Sequence, residues 1–239
     1  MKIKIIFFLL PLFIFAQNDH KTLSKNISKN ISVDYVLHFP DNYKKEKHDW
    51  PLIVFLHGSG ERGNDLSKLS IHGPLKYVEN GNKLDAVILA PQCPEKEVWD
   101  MDVLTTLIKE VVLKHRINFT KVYLTGLSMG GYGTWELALE HPEMFAAIAP
   151  ICARVDYVFL ENASMLKDKP IWVFHGAKDE VVPISNSERM VQALKNVGGN
   201  SKFTIFPEAG HDSWSKPYSD PEFYAWLLSQ EQKLLMKKR

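Results

Sequence analysis

The chain has 239 residues, of which 45% are hydrophobic and 24% charged, and 29 basic against 28 acidic side chains leave a formal net charge of +1. These are ordinary globular values, and a near-neutral balance supplies no basic field for nucleic acid. The length suits one α/β domain built around one large core.

The chain opens on MKIKIIFFLLPLFIFAQ, in which Lys2 and Lys4 precede an apolar stretch from Ile5 to Phe15 and the small Ala16. That is the layout of a cleavable export signal, and it is too short to span a bilayer comfortably. Residues 1–16 are therefore read as a signal peptide, which implies a periplasmic or extracellular protein with no stable membrane insertion after cleavage. An uncleaved anchor or a buried N-terminal strand is the alternative. The polar residues 17–31 are read as a flexible segment, and residues 32–239 as the folded domain.

Inside that domain SVDYVLHFP alternates apolar and polar residues, the pattern of a half-buried edge strand. PLIVFLHG, DAVILAP, KVYLTG, FAAIAPIC, PIWVFHG and KFTIFP then follow as short apolar runs bounded by Gly, Pro or a charge. Such runs suit strands buried on both faces of a parallel sheet. Helical spacing marks VLTTLIKEVVLKH, GGYGTWELALEHP, SNSERMVQALKNVG and a C-terminal DPEFYAWLLSQEQKLL. Strand alternating with helix predicts a mostly parallel central sheet with helices on both faces and right-handed crossovers. Catalytic groups in such sheets sit in loops at the carboxyl ends of the strands. Cys93 and Cys152 follow strands that are not neighbours, so they are expected as free thiols; neither has the Cys–His spacing of a zinc site, and no metal or cofactor is expected.

The stretch KVYLTGLSMGGYGTW places Ser128 in G-x-S-x-G, between a strand and a helix. The physical need is a turn so tight that only small residues, Gly126 and Gly130, can flank the serine. A serine is a poor nucleophile unless a base takes its proton and an acid orients that base. Asp179 lies in the loop after PIWVFHG and His211 in the loop after KFTIFP, so the order Ser128, Asp179, His211 is that of an α/β-hydrolase triad. Glu180 and Asp156 are rivals for the acid. His57 and His175, each in a strand-ending His-Gly, are read as braces for their loops.

With FLHGSGERGND, APQCP, GLSMGGYGTW, HGAKDEVVP and AGHDSW, the sequence resembles the α/β-hydrolases of the dienelactone hydrolase and small bacterial esterase type. More narrowly it is similar to the "predicted peptidase" and polysaccharide-ester esterase group, from about Tyr35 to the C-terminus. The resemblance implies a secreted serine esterase acting on feruloyl or acetyl esters of polysaccharide, with a small-molecule or polysaccharide ester as its partner. A serine peptidase, a broad carboxylesterase and a silent binding scaffold are the other readings.

The oxyanion of an acyl-transfer intermediate needs two backbone donors. Met129, after the nucleophile, is one; Ser59 is the other, with Gly60 as the alternative. Glu61 and Arg62, in a segment overlooking the site, are candidate substrate-binding residues, or else pair with each other or orient the loop, and Trp99 and Trp214 are candidate platforms for a sugar or an aromatic acyl group. The segment between FAAIAPIC and Asp179 is too short for a large lid, so the site is expected to be open.

Overall fold

The computed structural model describes residues 21–232. The expected signal peptide, residues 1–16, lies outside them. Residues 21–31 are exposed and carry neither helix nor strand. The described helices and strands belong to one unit that begins at Ser32.

The strands are β1 (Tyr35–His38), β2 (Trp50–Leu56), β3 (Val87–Pro91), β4 (Ile117–Leu127), β5 (Ala147–Ile151), β6 (Ile171–Gly176) and β7 (Ser201–Phe206). Among the described residues they form one 7-stranded sheet in the order β1-β3-β2-β4-β5-β6-β7. β1 pairs antiparallel with β3 at the edge, and every other pairing is parallel. The inner runs are apolar throughout because both faces are covered. Leu52, Val54 and Leu56 face one core; Ile53 and Phe55, pointing the other way, face a second.

The first core is closed by α2 (Met101–Lys114), α3 (Met129–Glu140), α4 (Tyr157–Glu161) and α5 (Ser185–Asn196). The second is closed by α1 (Gly73–Glu79), α6 (Ser215–Ser219) and α7 (Pro221–Leu228). Trp135 of α3 is fully buried, and such a side chain contributes about 3 kcal/mol of burial. The doubly wound, mostly parallel fold read from the sequence is the fold observed. Among the described residues no large lid is present, since the segment between β5 and β6 carries only the five residues of α4 and one 3-10 turn.

The C-terminal helix is shorter than its apolar spacing predicts. It ends at Leu228, and the chain turns back along β4, where Tyr123 Oη donates to the carbonyl of Gln230 at 2.8 Å and the Gln232 amide donates to Thr120 O at 2.9 Å. These partners on β4 satisfy backbone groups that another helical turn would otherwise pair. Cys93 and Cys152 are both free and buried. Burial pushes their thiols up, to about 11 and about 12.

The sheet order reverses direction between β2 and β4, since β2 is followed by β3 on one side and by β4 on the other. Leu56 pairs with Gly126 there, so the loops leaving both strands emerge side by side at the crevice where doubly wound sheets bind ligands.

Candidate active site

The loop leaving β4 is Ser128, at φ 53 and ψ −113, a left-handed conformation that costs a non-glycine residue on the order of 1–3 kcal/mol. Its surroundings enforce the turn. The Ser128 amide donates to Ile151 O at 3.0 Å, and the turn draws α3 back against the end of β2. A Cβ at Gly126 would lie 2.3 Å from Gly130 O, and one at Gly130 only 1.9 Å from Leu56 O. The Ser128 hydroxyl makes no capping bond to its own helix and is left to point elsewhere.

It points to His211, whose Nε2 is 2.9 Å from Ser128 Oγ. His211 Nδ1 is 2.8 Å from Asp179 Oδ2. A carboxylate can only accept, so Nδ1 carries the proton and Nε2 presents a lone pair to the hydroxyl. Asp179 Oδ1 in turn accepts from the Val181 and Val182 amides at 2.9 and 2.8 Å. The loops carrying acid and base are stitched together, with Ala177 N donating to Phe206 O and Lys178 N to Ala209 O, each at 3.0 Å. The rival acids lie elsewhere: Asp156 accepts from Tyr132 Oη at 3.0 Å and from Arg154 Nε at 2.9 Å, and Glu180 is exposed.

The loop after β2 is held from both sides. His57 Nε2 accepts from the Cys93 amide at 3.0 Å while Nδ1 lies 2.6 Å from Gly58 O, so this ring carries its proton on Nδ1 and braces two strand ends. Burial drives its pKa down to about 4, which keeps it neutral. Glu61 and Arg62 are not paired with each other. Glu61 Oε2 accepts from the Gly58 amide at 3.0 Å, and Arg62 donates from Nε to Ser59 O and from Nη1 to Glu97 O, both at 3.0 Å. Both therefore act on the loop rather than on the cavity at Ser128. With the Gly58 amide engaged, Ser59 and Gly60 present the next amides of the turn. Met129 is the first residue of α3, where an amide has no carbonyl one turn earlier to bond and the helix end is partially positive.

Beside Ser128 opens a cavity of about 450 Å³ lined by Val98, Trp99, Met129, Tyr132, Glu136, Arg154 and Val182. Trp99 thus stands in its wall, but it is only 7% exposed and packs edge-on against His57 at 4.7 Å. Trp214 is placed differently: it stands edge-on to His211 at 5.4 Å, also contacts His72, and lines a separate cleft with Lys76 and Tyr77. Tyr132, Glu136 and Arg154 are cavity residues that the sequence reading did not single out. Tyr132 and Glu136 stand one helical turn apart on α3, directly after the nucleophile turn, a spacing that pointed to this wall. Burial, then Glu140 and Asp156, raise the Glu136 carboxyl above its ordinary value.

Among the described residues, one group of metal-ligating types has its ligand atoms within 4.8 Å of one another: Cys152, Asp179 and His211. Two of these already serve the hydrogen-bonded chain to Ser128, and the thiol is held neutral by burial.

A sequence model of the family described as phospholipase/carboxylesterase matches residues 85–220. A poly(3-hydroxyoctanoate) depolymerase of Pseudomonas fluorescens is 25% identical over 211 residues, 74% of this chain and 73% of its own length. A Yersinia pestis protein provisionally assigned as a carboxymethylenebutenolidase is 29% identical over 124 residues, 48% of this chain but only 46% of its own. The crystal structure of a thermostable esterase superimposes with a TM-score of 0.73 at 33% identity, covering 84% of this chain and 60% of that one.

Proposed function

Because the chain belongs to the phospholipase/carboxylesterase family of α/β-hydrolases, and is with its relatives a serine hydrolase of esterase type, we propose that it hydrolyses feruloyl or acetyl esters carried on polysaccharide through Ser128, His211 and Asp179. The observation that carries the reading is the unbroken chain of hydrogen bonds from Ser128 Oγ through His211 to Asp179, opening on a cavity large enough for a small acyl or sugar unit.

The chemistry follows from that chain. His211 Nε2 takes the hydroxyl proton as Ser128 Oγ attacks the ester carbon, and the resulting oxyanion is held by the amides of Met129 and Ser59. As the intermediate collapses, His211 returns the proton to the leaving alkoxide, so the alcohol departs and an acyl-Ser128 remains. Water then attacks the acyl carbon with His211 again as base, and the carboxylic acid is released with the serine restored. Asp179 stays ionised throughout and stabilises the imidazolium.

Support for a sugar-bearing substrate comes from the cavity wall. Tyr132 offers an aromatic face, Glu136 and Arg154 offer acceptors and donors for hydroxyl groups, and Trp99 stands in the same wall. The signal-like residues 1–16 fit export to where polysaccharide is met. The depolymerase relative acts, by its name, on a polymeric ester, which fits an open site.

A panel of p-nitrophenyl esters from acetyl to dodecanoyl, with methyl ferulate, acetylated and feruloylated oligosaccharides, poly(3-hydroxyalkanoate) and the matching amides, tests this. Catalytic efficiency is expected to peak at short acyl chains, with the feruloyl and sugar esters accepted and the amides poor. A rise of about fourfold per CH₂, the value of burying each one, would mean an apolar acyl channel and would overturn the carbohydrate reading.

A further inference from the structure

His175 ends β6 four residues before Asp179 and is fully buried. The triad chemistry described above does not use it. Its Nδ1 lies 2.7 Å from Ser187 Oγ, and Ser187, on α5, is itself fully buried. Its Nε2 lies 2.8 Å from Val182 O and 3.2 Å from Asp179 Oδ2.

Those neighbours assign the proton. A carbonyl and a carboxylate oxygen both only accept, so an Nε2 lone pair would face two other lone pairs in a dry site. Nε2 must therefore be the donor. Ser187 then donates its hydroxyl to Nδ1 and holds the ring in that tautomer. Burial lowers this imidazole's affinity for a second proton. The Asp179 carboxylate accepts from the Val181 and Val182 amides on Oδ1 and from His211 on Oδ2, and the His175 Nε2–H, donated to Val182 O, lies 3.2 Å from that same Oδ2.

We propose that His175 is a positioning residue of this active site, a neutral imidazole whose Nε2–H holds Val182 O, in the loop whose amides hold Asp179, and lies against the Asp179 oxygen that orients His211. The inference rests on the reading of Ser128, His211 and Asp179 as the triad. The ring also shares the negative charge of Oδ2. When its N–H is removed, more of that charge falls on the His211 Nδ1–H, the imidazolium is better stabilised, and the base becomes neutral only at higher pH. The carboxylate also gains freedom to rotate, which spoils the aim of His211 at Ser128. The other groups around the pair are Cys152, a thiol pushed up to about 12; Asp212, next to His211 in the chain; and Trp214, beyond which stand His72 and Glu61.

The test is the pH profile of kcat and KM for p-nitrophenyl acetate, corrected for active fraction by the acylation burst. His175→Phe keeps a ring but loses the donor. It is expected to lower kcat about ten- to a hundredfold, the cost of leaving a buried acceptor unpaired in the loop that holds Asp179, with KM within about twofold of the unsubstituted enzyme. Its acid limb should move to higher pH. His175→Gln, which keeps an N–H donor, should recover most of both. A brace with no part in positioning would lower thermal stability and the active fraction while leaving the limb where it was, and that result in folded His175→Phe overturns the proposal. Should His175→Phe not fold, nitrogen-correlated NMR of the imidazoles in the unsubstituted protein decides the matter. A neutral Nε2–H tautomer at position 175 across neutral pH is expected; an Nδ1–H tautomer or a charged ring overturns it. Failure of the triad itself reads out separately, as Ser128→Ala or His211→Ala that still turns over.

Discussion

Ser128→Ala and His211→Ala are each expected to lower turnover of a short p-nitrophenyl ester by about 10⁴- to 10⁶-fold, and the double substitution to lower it little further. Nucleophile and base are one device. A serine hydroxyl without a base at 2.9 Å is hardly ionised, and a base without the hydroxyl has no acyl acceptor. What survives either loss is the oxyanion loop and the binding cavity, which accelerate attack by water on their own. Steady-state kinetics on the three variants, with circular dichroism to show that each is folded, checks this. Multiplying losses in the double variant would mean that the two residues act independently.

Gly130→Ala is expected to remove the fold rather than only the activity. The added Cβ would lie 1.9 Å from Leu56 O, 2.4 Å from Leu56 C and 2.6 Å from His57 O, all backbone. A flexible side chain could yield, but Leu56 is fixed in the sheet by its pairing with Gly126. Overpacking a core usually costs about 1–3 kcal/mol, and a backbone collision at this distance lies beyond that range. Against a net stability on the order of 5–15 kcal/mol, the variant should be insoluble or melt at least about 10 °C lower. Gly60→Ala is the control, since a Cβ there meets nothing within 4 Å. Differential scanning fluorimetry should find it near the unsubstituted protein; a Gly130→Ala protein of equal stability would contradict the close packing of α3 on β2.

The sheet was legible because strands buried on both faces must be apolar, and five of the six runs so read became the inner strands β2 to β6; the sixth, KFTIFP, is β7 at the sheet edge and only partly buried. The positions of Ser128, Asp179 and His211 were legible for a related reason: each follows a strand that ends at the same edge of the sheet. Short helices were not. HGPLKYVEN contains α1, but Gly, Pro and a single turn of apolar side chains give too little periodicity to register, and α4 and α6 have five residues each. Glu61 and Arg62 could be read as loop or substrate residues because adjacent opposite charges look the same in either role. Only the direction of the side chains separates them, toward Gly58, Ser59 and Glu97. His175 was legible as a loop brace, but its approach to Asp179 Oδ2 requires the loop between them to fold back within four residues, which spacing alone does not dictate.

That Ser128 is the nucleophile is tested most directly by a fluorophosphonate probe, which phosphonylates only an activated serine. The full chain, labelled at neutral pH, digested and read by mass spectrometry, should carry one adduct, on the peptide holding Ser128. Labelling should vanish in Ser128→Ala and slow by orders of magnitude in His211→Ala. An unlabelled Ser128 in protein that still hydrolyses esters, or an adduct on another residue, would contradict it.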